Sequence, residues 1–319
     1  MVSRFLPEFG DVLAAAARIA AHARPTPVLR SQALDSASGA QLYFKAEHLQ
    51  RGGAFKFRGA CNAVWALDPA QAACGVVTHS SGNHGAALAL AARTRGIGCH
   101  VVVPEGAVAA KLANIARHGA TLWRCAPSIA AREALCAQVQ RDTGATLVHP
   151  YADPAVIAGQ GTAALELLDA SGGLDLLVVP VGGGGLAAGS RLALSALAPQ
   201  AQLLLAEPAG AADTARSLAA GERRVDMVPD TICDGLRGSL GEPNFALLHG
   251  HAEVLVVDDA ATVAAMRLLW QVLKQVVEPS SAIALAAVLA QPARFAGRRV
   301  GVILSGGNVD LDALPWGAA

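Results

Sequence analysis

The sequence predicts an α/β protein built on two open, twisted parallel sheets covered by helices, the smaller domain inserted in the larger. Three observations predict it. Short apolar runs alternate with alanine-rich stretches of helical length along most of the 319 residues, a pattern that specifies parallel strands buried on both faces. One block, residues 70–145, forms a compact βαβαβα set, and the flanking segments, 1–65 and 150–319, complete one another as a larger sheet. The glycine- and hydroxyl-rich segments follow strands, which places a ligand between the two domains at strand carboxyl ends.

Composition removes several function classes. The 25 basic and 25 acidic residues give zero net charge without a long run of either sign, which argues against nucleic acid or an anionic membrane as partner. Apolar residues make up 53% of the chain, yet no stretch approaches the roughly 18 consecutive apolar residues of a membrane span. Cys61, Cys74, Cys99, Cys125, Cys136 and Cys233 are scattered, with no Cys-x-x-Cys pair. They read as reduced thiols, and the expected setting is cytoplasmic.

In chain order, the first apolar block carries Asp11, Arg18 and His22. It therefore reads as an amphipathic helix over 11–23 rather than a signal peptide. A strand at 41–45 leads to Gly53-Ala54-Phe55-Lys56-Phe57-Arg58-Gly59-Ala60 and a helix over 57–67. An amine between Phe55 and Phe57, near Arg58, is pushed toward its neutral, nucleophilic form, as a Schiff-base lysine requires. The plainer alternative is a helix-start lysine that snorkels to water.

Strands at 75–79, 99–103 and 121–124 and helices over 83–95, 109–118 and 129–142 make the inserted block. Its first strand runs into Thr78-His79-Ser80-Ser81-Gly82-Asn83-His84-Gly85. Hydroxyls and free N–H groups at a helix start can receive a carboxylate; an ordinary N-cap by Ser81 or Asn83 is the alternative.

Beyond a helix over 156–170, the strand 174–181 ends in Gly182-Gly183-Gly184-Gly185 ahead of a helix over 186–197. Such a turn lets backbone N–H groups hold a phosphate. Gly183-x-Gly185-x-x-x-Gly189, with Glu207 ending the next strand at 202–206, also resembles a dinucleotide fingerprint, so a nicotinamide dehydrogenase stays open on this segment alone. Helices over 211–219, 260–277 and 281–289 follow, and the last strand, 299–304, meets Ser305-Gly306-Gly307-Asn308. A hydroxyl there can bond a pyridine nitrogen or cap a turn.

Together the four segments resemble the fold type II pyridoxal phosphate enzymes, specifically the serine/threonine dehydratase and serine racemase group, over nearly the whole chain and in the same order. The resemblance implies the tryptophan synthase β-subunit-like type of fold, with the small domain mobile, and pyridoxal 5'-phosphate as cofactor. It implies that Lys56 forms the imine with the cofactor and removes the substrate α-proton. Phe55 would pack beside the ring, Asn83 would bond its phenolic oxygen, Gly182, Gly183, Gly184 and Gly185 would hold the phosphate, and Ser305 would face the pyridine nitrogen. Ser80, Ser81, Gly82, Asn83 and His84 would clamp the substrate carboxylate, with Ser81 as the opposite-face acid/base of racemases and Arg132 reaching the substrate on closure. Glu207, Ala211 through its carbonyl, and Asp213 match a divalent-cation site suited to Mg²⁺ or Ca²⁺; helix-start carboxylates are the alternative.

The chain departs from that pattern at Ala54, which lacks a hydroxyl near the imine, at Tyr151, and at Gly238, whose missing side chain would leave room for a larger β-substituent. It ends at Ala319, so the appended regulatory domain of biosynthetic threonine dehydratases is not expected. The expected activity is dehydration and deamination of a β-hydroxy-α-amino acid (L-serine, L-threonine or 3-hydroxyaspartate) to a 2-oxo acid and ammonia. The alternative is a serine or aspartate-type racemase, and relatives imply a homodimer. For 3-hydroxyaspartate, Arg132 or His149 would receive the second carboxylate.

Overall fold

The computed structural model describes residues 6–316, so the outermost ends of the expected large domain, 1–5 and 317–319, lie outside the described residues. The strands in chain order are β1 (Val28–Leu29), β2 (Gln41–Ala46), β3 (Val76–Thr78), β4 (Cys99–Pro104), β5 (Thr121–Cys125), β6 (Thr146–Leu147), β7 (Leu176–Pro180), β8 (Gln202–Pro208), β9 (Ala252–Val257) and β10 (Arg299–Leu304). They form a six-stranded sheet in the order β1-β2-β10-β7-β8-β9 and a four-stranded sheet in the order β5-β4-β3-β6. Neighbours run parallel except β1, which pairs antiparallel with β2. The expected two-sheet architecture, with the smaller unit inserted, is the one observed.

Side-chain alternation divides the large sheet between two cores. Leu42, Phe44, Leu176 and Val178 face the helices Asp259–Leu268 and Pro279–Ala290. Tyr43, Leu177 and Val179 face Phe9–Ile19, Pro154–Ser171 and Gly185–Leu197. The period of two is what a strand covered on both sides demands. The helix Lys56–Ala66 contributes Phe57, Ala60, Cys61 and Val64 to the core beside the small sheet. Lys56 thus starts a helix that packs against both units.

Glycines bring the helix Pro154–Ser171 into backbone contact with two others. A Cβ at Gly161 would lie 2.7 Å from the Gly189 carbonyl oxygen, and one at Gly159 would lie 2.7 Å from the Arg58 carbonyl oxygen. One at Gly189 would overlap the Ile157 carbonyl oxygen.

Two readings are corrected. The helix expected over 260–277 ends at Leu268; a π turn, Leu269–Leu273, follows, and Lys274 at φ 59° stops it. Strands β1, β6 and β9 and the short helices Gln32–Ser38, Pro69–Cys74, Glu242–Leu248 and Pro292–Phe295 were not expected. Among the described residues no helix is long and apolar enough to cross a membrane.

Gly189→Ala should destabilise the protein by about 1–3 kcal/mol, the usual cost of overpacking. Urea unfolding of wild type and variant measures it.

Candidate active site

A parallel sheet presents the carboxyl ends of its strands on one edge, and the loops gathered there bring distant segments together. Phe55 N–H donates to the Ser305 carbonyl (2.9 Å), Gly307 N–H donates to the Gly53 carbonyl (2.9 Å), and Ala54 forms a bridge with Gly306. The lysine segment and the carboxyl-terminal Ser305–Asn308 turn are therefore one unit.

Lys56 is the first residue of its helix, and its Nζ donates to the Pro150 carbonyl at 2.9 Å while lying 5.0 Å from the Phe55 ring centroid. Loss of hydration lowers its pKa to about 8, against an opposing pull from the Glu278 carboxylate. Asn83 Nδ2 donates to Glu278 Oε1 (2.9 Å) and Oε2 (3.2 Å), and Asn308 Nδ2 donates to Asn83 Oδ1 (2.9 Å). Burial, then the nearby Asp234, pushes the Glu278 carboxyl up to about 7. Sequence reasoning missed Glu278. Its one local signal is an acid preceding Pro279 at the start of an almost wholly buried helix.

The glycine turn leaves donors free. Among the described residues, the amides of Gly182, Gly183, Gly184 and Gly185 have no protein acceptor. Gly184 adopts φ +88°, and a Cβ at Gly182 would lie 2.7 Å from Leu236 Cα. Asn244 Nδ2 braces the turn by donating to the carbonyls of Gly183 (2.5 Å) and Tyr151 (2.9 Å). Ser305 is buried, and its Oγ donates weakly to the Ser280 carbonyl at 3.4 Å.

At the second turn, no side chain caps the helix Asn83–Arg95, so the ordinary N-cap reading of Ser81 and Asn83 fails. The amides of Ser81, Asn83 and His84 find no protein acceptor among the described residues, whereas Gly82 N–H reaches Ser80 Oγ at 3.4 Å. The His84 ring is buried against the Val148 carbonyl, so only its main chain faces this turn. Arg132 lies on the helix Ile129–Thr143 with Nε buried and unpartnered, close enough for its charge to act on His79 and Tyr151.

Glu207 ends β8 and is fully buried, its oxygens accepting the amides of Thr214 and Ala215 at 2.8 Å. Asp213 opens the helix Asp213–Ala220 and accepts Leu240 N–H at 2.8 Å, and Ala211 lies in the preceding turn. Burial pushes the Glu207 carboxyl up to about 7, and the charge of Asp213 adds to it. The described residues contain no group of three or more His, Cys, Asp or Glu side chains placed to hold a metal. The same hydrogen bonds remove Glu207 from the ribose role a dinucleotide enzyme needs. A Cβ at Gly238 would lie 3.4 Å from the Tyr151 ring, an ordinary contact, so that ring borders the position.

A reactive amine, four free amides on a strand–helix turn and an uncapped helix start now face one cleft. The chain matches the family described as "Pyridoxal-phosphate dependent enzyme" over residues 19–306. The chain belongs to that family. It is 50% identical to the beta-hydroxyaspartate dehydratase of Paracoccus denitrificans (strain Pd 1222), over 98% of this chain and 99% of the relative. It is 43% identical to the L-threo-3-hydroxyaspartate ammonia-lyase of Saccharomyces cerevisiae, over 96% and 94%. The structure of maize serine racemase superposes with a TM-score of 0.93 at 44% identity, over 96% of this chain and 95% of that one. The site of this pyridoxal-phosphate enzyme fits the cofactor on its own evidence, since four unsatisfied amides suit a phosphate and a lysine lowered to about 8 suits an aldehyde. The nicotinamide alternative is thereby set aside.

Only a neutral amine attacks an aldehyde, and its fraction grows as pH rises through the pKa. Incorporation of pyridoxal phosphate into cofactor-free enzyme, trapped with borohydride, should be half-maximal near pH 8 rather than near the ordinary lysine value of 10.5.

Proposed function

We propose that this enzyme is an ammonia-lyase that converts a β-hydroxy-α-amino acid, L-serine, L-threonine or 3-hydroxyaspartate, to a 2-oxo acid and ammonia. The observation that carries this reading is Lys56 with a lowered pKa between the free amides of Gly182–Gly185 and the uncapped turn before Asn83. The dehydratase and ammonia-lyase names of the two relatives support it.

Pyridoxal phosphate, when bound, supplies the electron sink for the pair left at Cα when its proton departs. Lys56 would hold it through Nζ, Phe55 beside the ring, Asn83 at the phenolic oxygen, Gly182–Gly185 at the phosphate and Ser305 at the pyridine nitrogen. Amides around Ser80, Ser81, Gly82, Asn83 and His84 fix the substrate α-carboxylate, and Arg132 reaches the substrate when the small domain closes. Lys56 Nζ takes the α-proton. The β-hydroxyl leaves as water, and the released enamine tautomerises and hydrolyses to the 2-oxo acid and ammonia.

Racemisation is the second reading. It shares these residues, and the likeness to maize serine racemase favours it. Ser81 Oγ has no protein partner among the described residues and would return the proton on the face opposite Lys56. We assign the mobile part to the small domain at 70–145, and propose a cytoplasmic homodimer.

Two buried acids, Glu207 and Asp213, without a bonded basic side chain also suit a hard cation, with Ala211 adding its carbonyl. We assign Mg²⁺ or Ca²⁺ there.

Lys56→Ala should lower the rate of keto-acid release by roughly 10²- to 10⁴-fold, the usual worth of a positioned acid or base. Ser81→Ala should suppress D-enantiomer formation while keto-acid release from L-substrates continues, and a chiral assay beside keto-acid detection separates the two. Equal loss of both products would remove the assignment of Ser81.

The cation is tested by thermal unfolding with chelator and with added Mg²⁺. Wild type should lose stability on chelation, and Glu207→Ala should respond to neither treatment.

A further inference from the structure

The turns described so far serve groups that every hydroxy amino acid carries, yet the same cleft holds donors that serine would leave unused. His149 follows β6, and its Nδ1 accepts the amides of Ala152 (3.0 Å) and Tyr151 (3.4 Å). An acceptor Nδ1 puts the ring proton on Nε2. That Nε2–H has no acceptor among the described residues and is not sealed from solvent. Burial, with His79 and Lys56 nearby, lowers the His149 pKa to about 3, so the ring stays a neutral donor.

Tyr151 stands edge-on to His149, ring centroids 4.6 Å apart. The chain makes room for it with glycine. A Cβ at Gly183 would enter the ring, and one at Gly241 would lie 3.2 Å from Cδ2. The carbonyl that receives Lys56 belongs to Pro150, between His149 and Tyr151 in the chain, and the charge of Lys56 acts on His149. The Tyr151 hydroxyl has no protein partner among the described residues and remains accessible. Arg132 adds a guanidinium whose Nε is buried and unpartnered.

Donors left unpaired in a half-buried cleft cost free energy that a matching ligand recovers, and a ligand lacking the match is rejected. A carboxylate is the acceptor that takes an imidazole N–H, a phenol O–H and a guanidinium together. The α-carboxylate is already served by the turn at Ser80–His84. We infer that His149 and Tyr151, with Arg132, form a side-chain subsite for a second carboxylate, which makes a β-hydroxy dicarboxylic amino acid the preferred substrate. This rests on the lyase reading and narrows it.

Two measurements on the holoenzyme test it. The first is kcat and KM for keto-acid release from 3-hydroxyaspartate and from L-serine, in wild type, Tyr151→Phe and His149→Asn. Phe keeps the ring on its glycines, and Asn keeps an acceptor for the two amides. In each variant the ratio of kcat/KM for 3-hydroxyaspartate to that for serine should fall about tenfold or more, mainly through KM. An unchanged ratio in both overturns the inference. The second is the thermal shift given by malate against 3-hydroxypropanoate, the two substrate skeletons without the amine. Malate should stabilise wild type more, and the difference should vanish in the variants; equal shifts in wild type overturn the subsite. Keto acid from serine but not from 3-hydroxyaspartate would sink this inference and leave the lyase reading. If no hydroxy amino acid yields keto acid, the lyase reading falls and the malate comparison alone decides the subsite.

Discussion

A buried guanidinium must be neutralised, and the position of Lys56 follows from how this is done. Arg58 is 1% exposed and donates to both oxygens of Glu47 (2.7 and 2.8 Å) and to both oxygens of Glu166 (2.6 and 2.8 Å). Lys45 Nζ donates to Glu166 at 2.5 Å, so two cations meet two carboxylates. Removing one partner from such a cluster typically costs about 3–5 kcal/mol, because it strands the remaining charge. Glu47 follows β2, and Glu166 lies on the helix Pro154–Ser171. The guanidinium therefore ties the start of the lysine helix to both, and only a planar fork can satisfy the two acids in this way.

The cleft itself follows the opposite rule. Its groups are shifted toward their neutral forms: Lys56 is lowered to about 8, His149 to about 3 and His84 well below the ordinary histidine range, while Glu278 is raised to about 7. Burial is the leading cause in every case, as expected where water is excluded. Anions entering such a site meet oriented N–H dipoles more than fixed charges. Dipoles fixed by the fold need no rearrangement when charge arrives, which is what a site for a phosphate and a carboxylate requires.

What the sequence revealed depends on whether the cause was local. The helix Asn83–Arg95 and strand β10 begin and end where the sequence places them, because glycine and hydroxyl clusters mark their ends. The glycine turn was legible for the same reason. Glu278 was not, since the residues that give it meaning, Asn83 and Asn308, lie 195 and 30 positions away. The packing of the Tyr151 ring against Gly183 and Gly241 was equally hidden, because the ring comes from another segment. Strands β1 and β6 have two residues each, too few to show a pattern, and β9 is an edge strand whose apolar run, Val254–Val257, is short and only half buried. The helix over 260–277 was overread because the apolar pattern continues through a π turn that only backbone angles reveal.

The mobility proposed for the small domain requires that contacts between it and the large one be weak. Lys111, on the helix Ala109–Ala116 of the small unit, pairs with Asp234 in the large one, and the two side chains are 39% and 41% exposed. An ion pair that open to water contributes at most about 1 kcal/mol. It can orient closure without holding the cleft shut. The strong, buried ion cluster around Arg58 lies behind Lys56, within the floor, and the weak pair lies at the mouth. That distribution fixes the Lys56 segment and meets what the proposed closure requires.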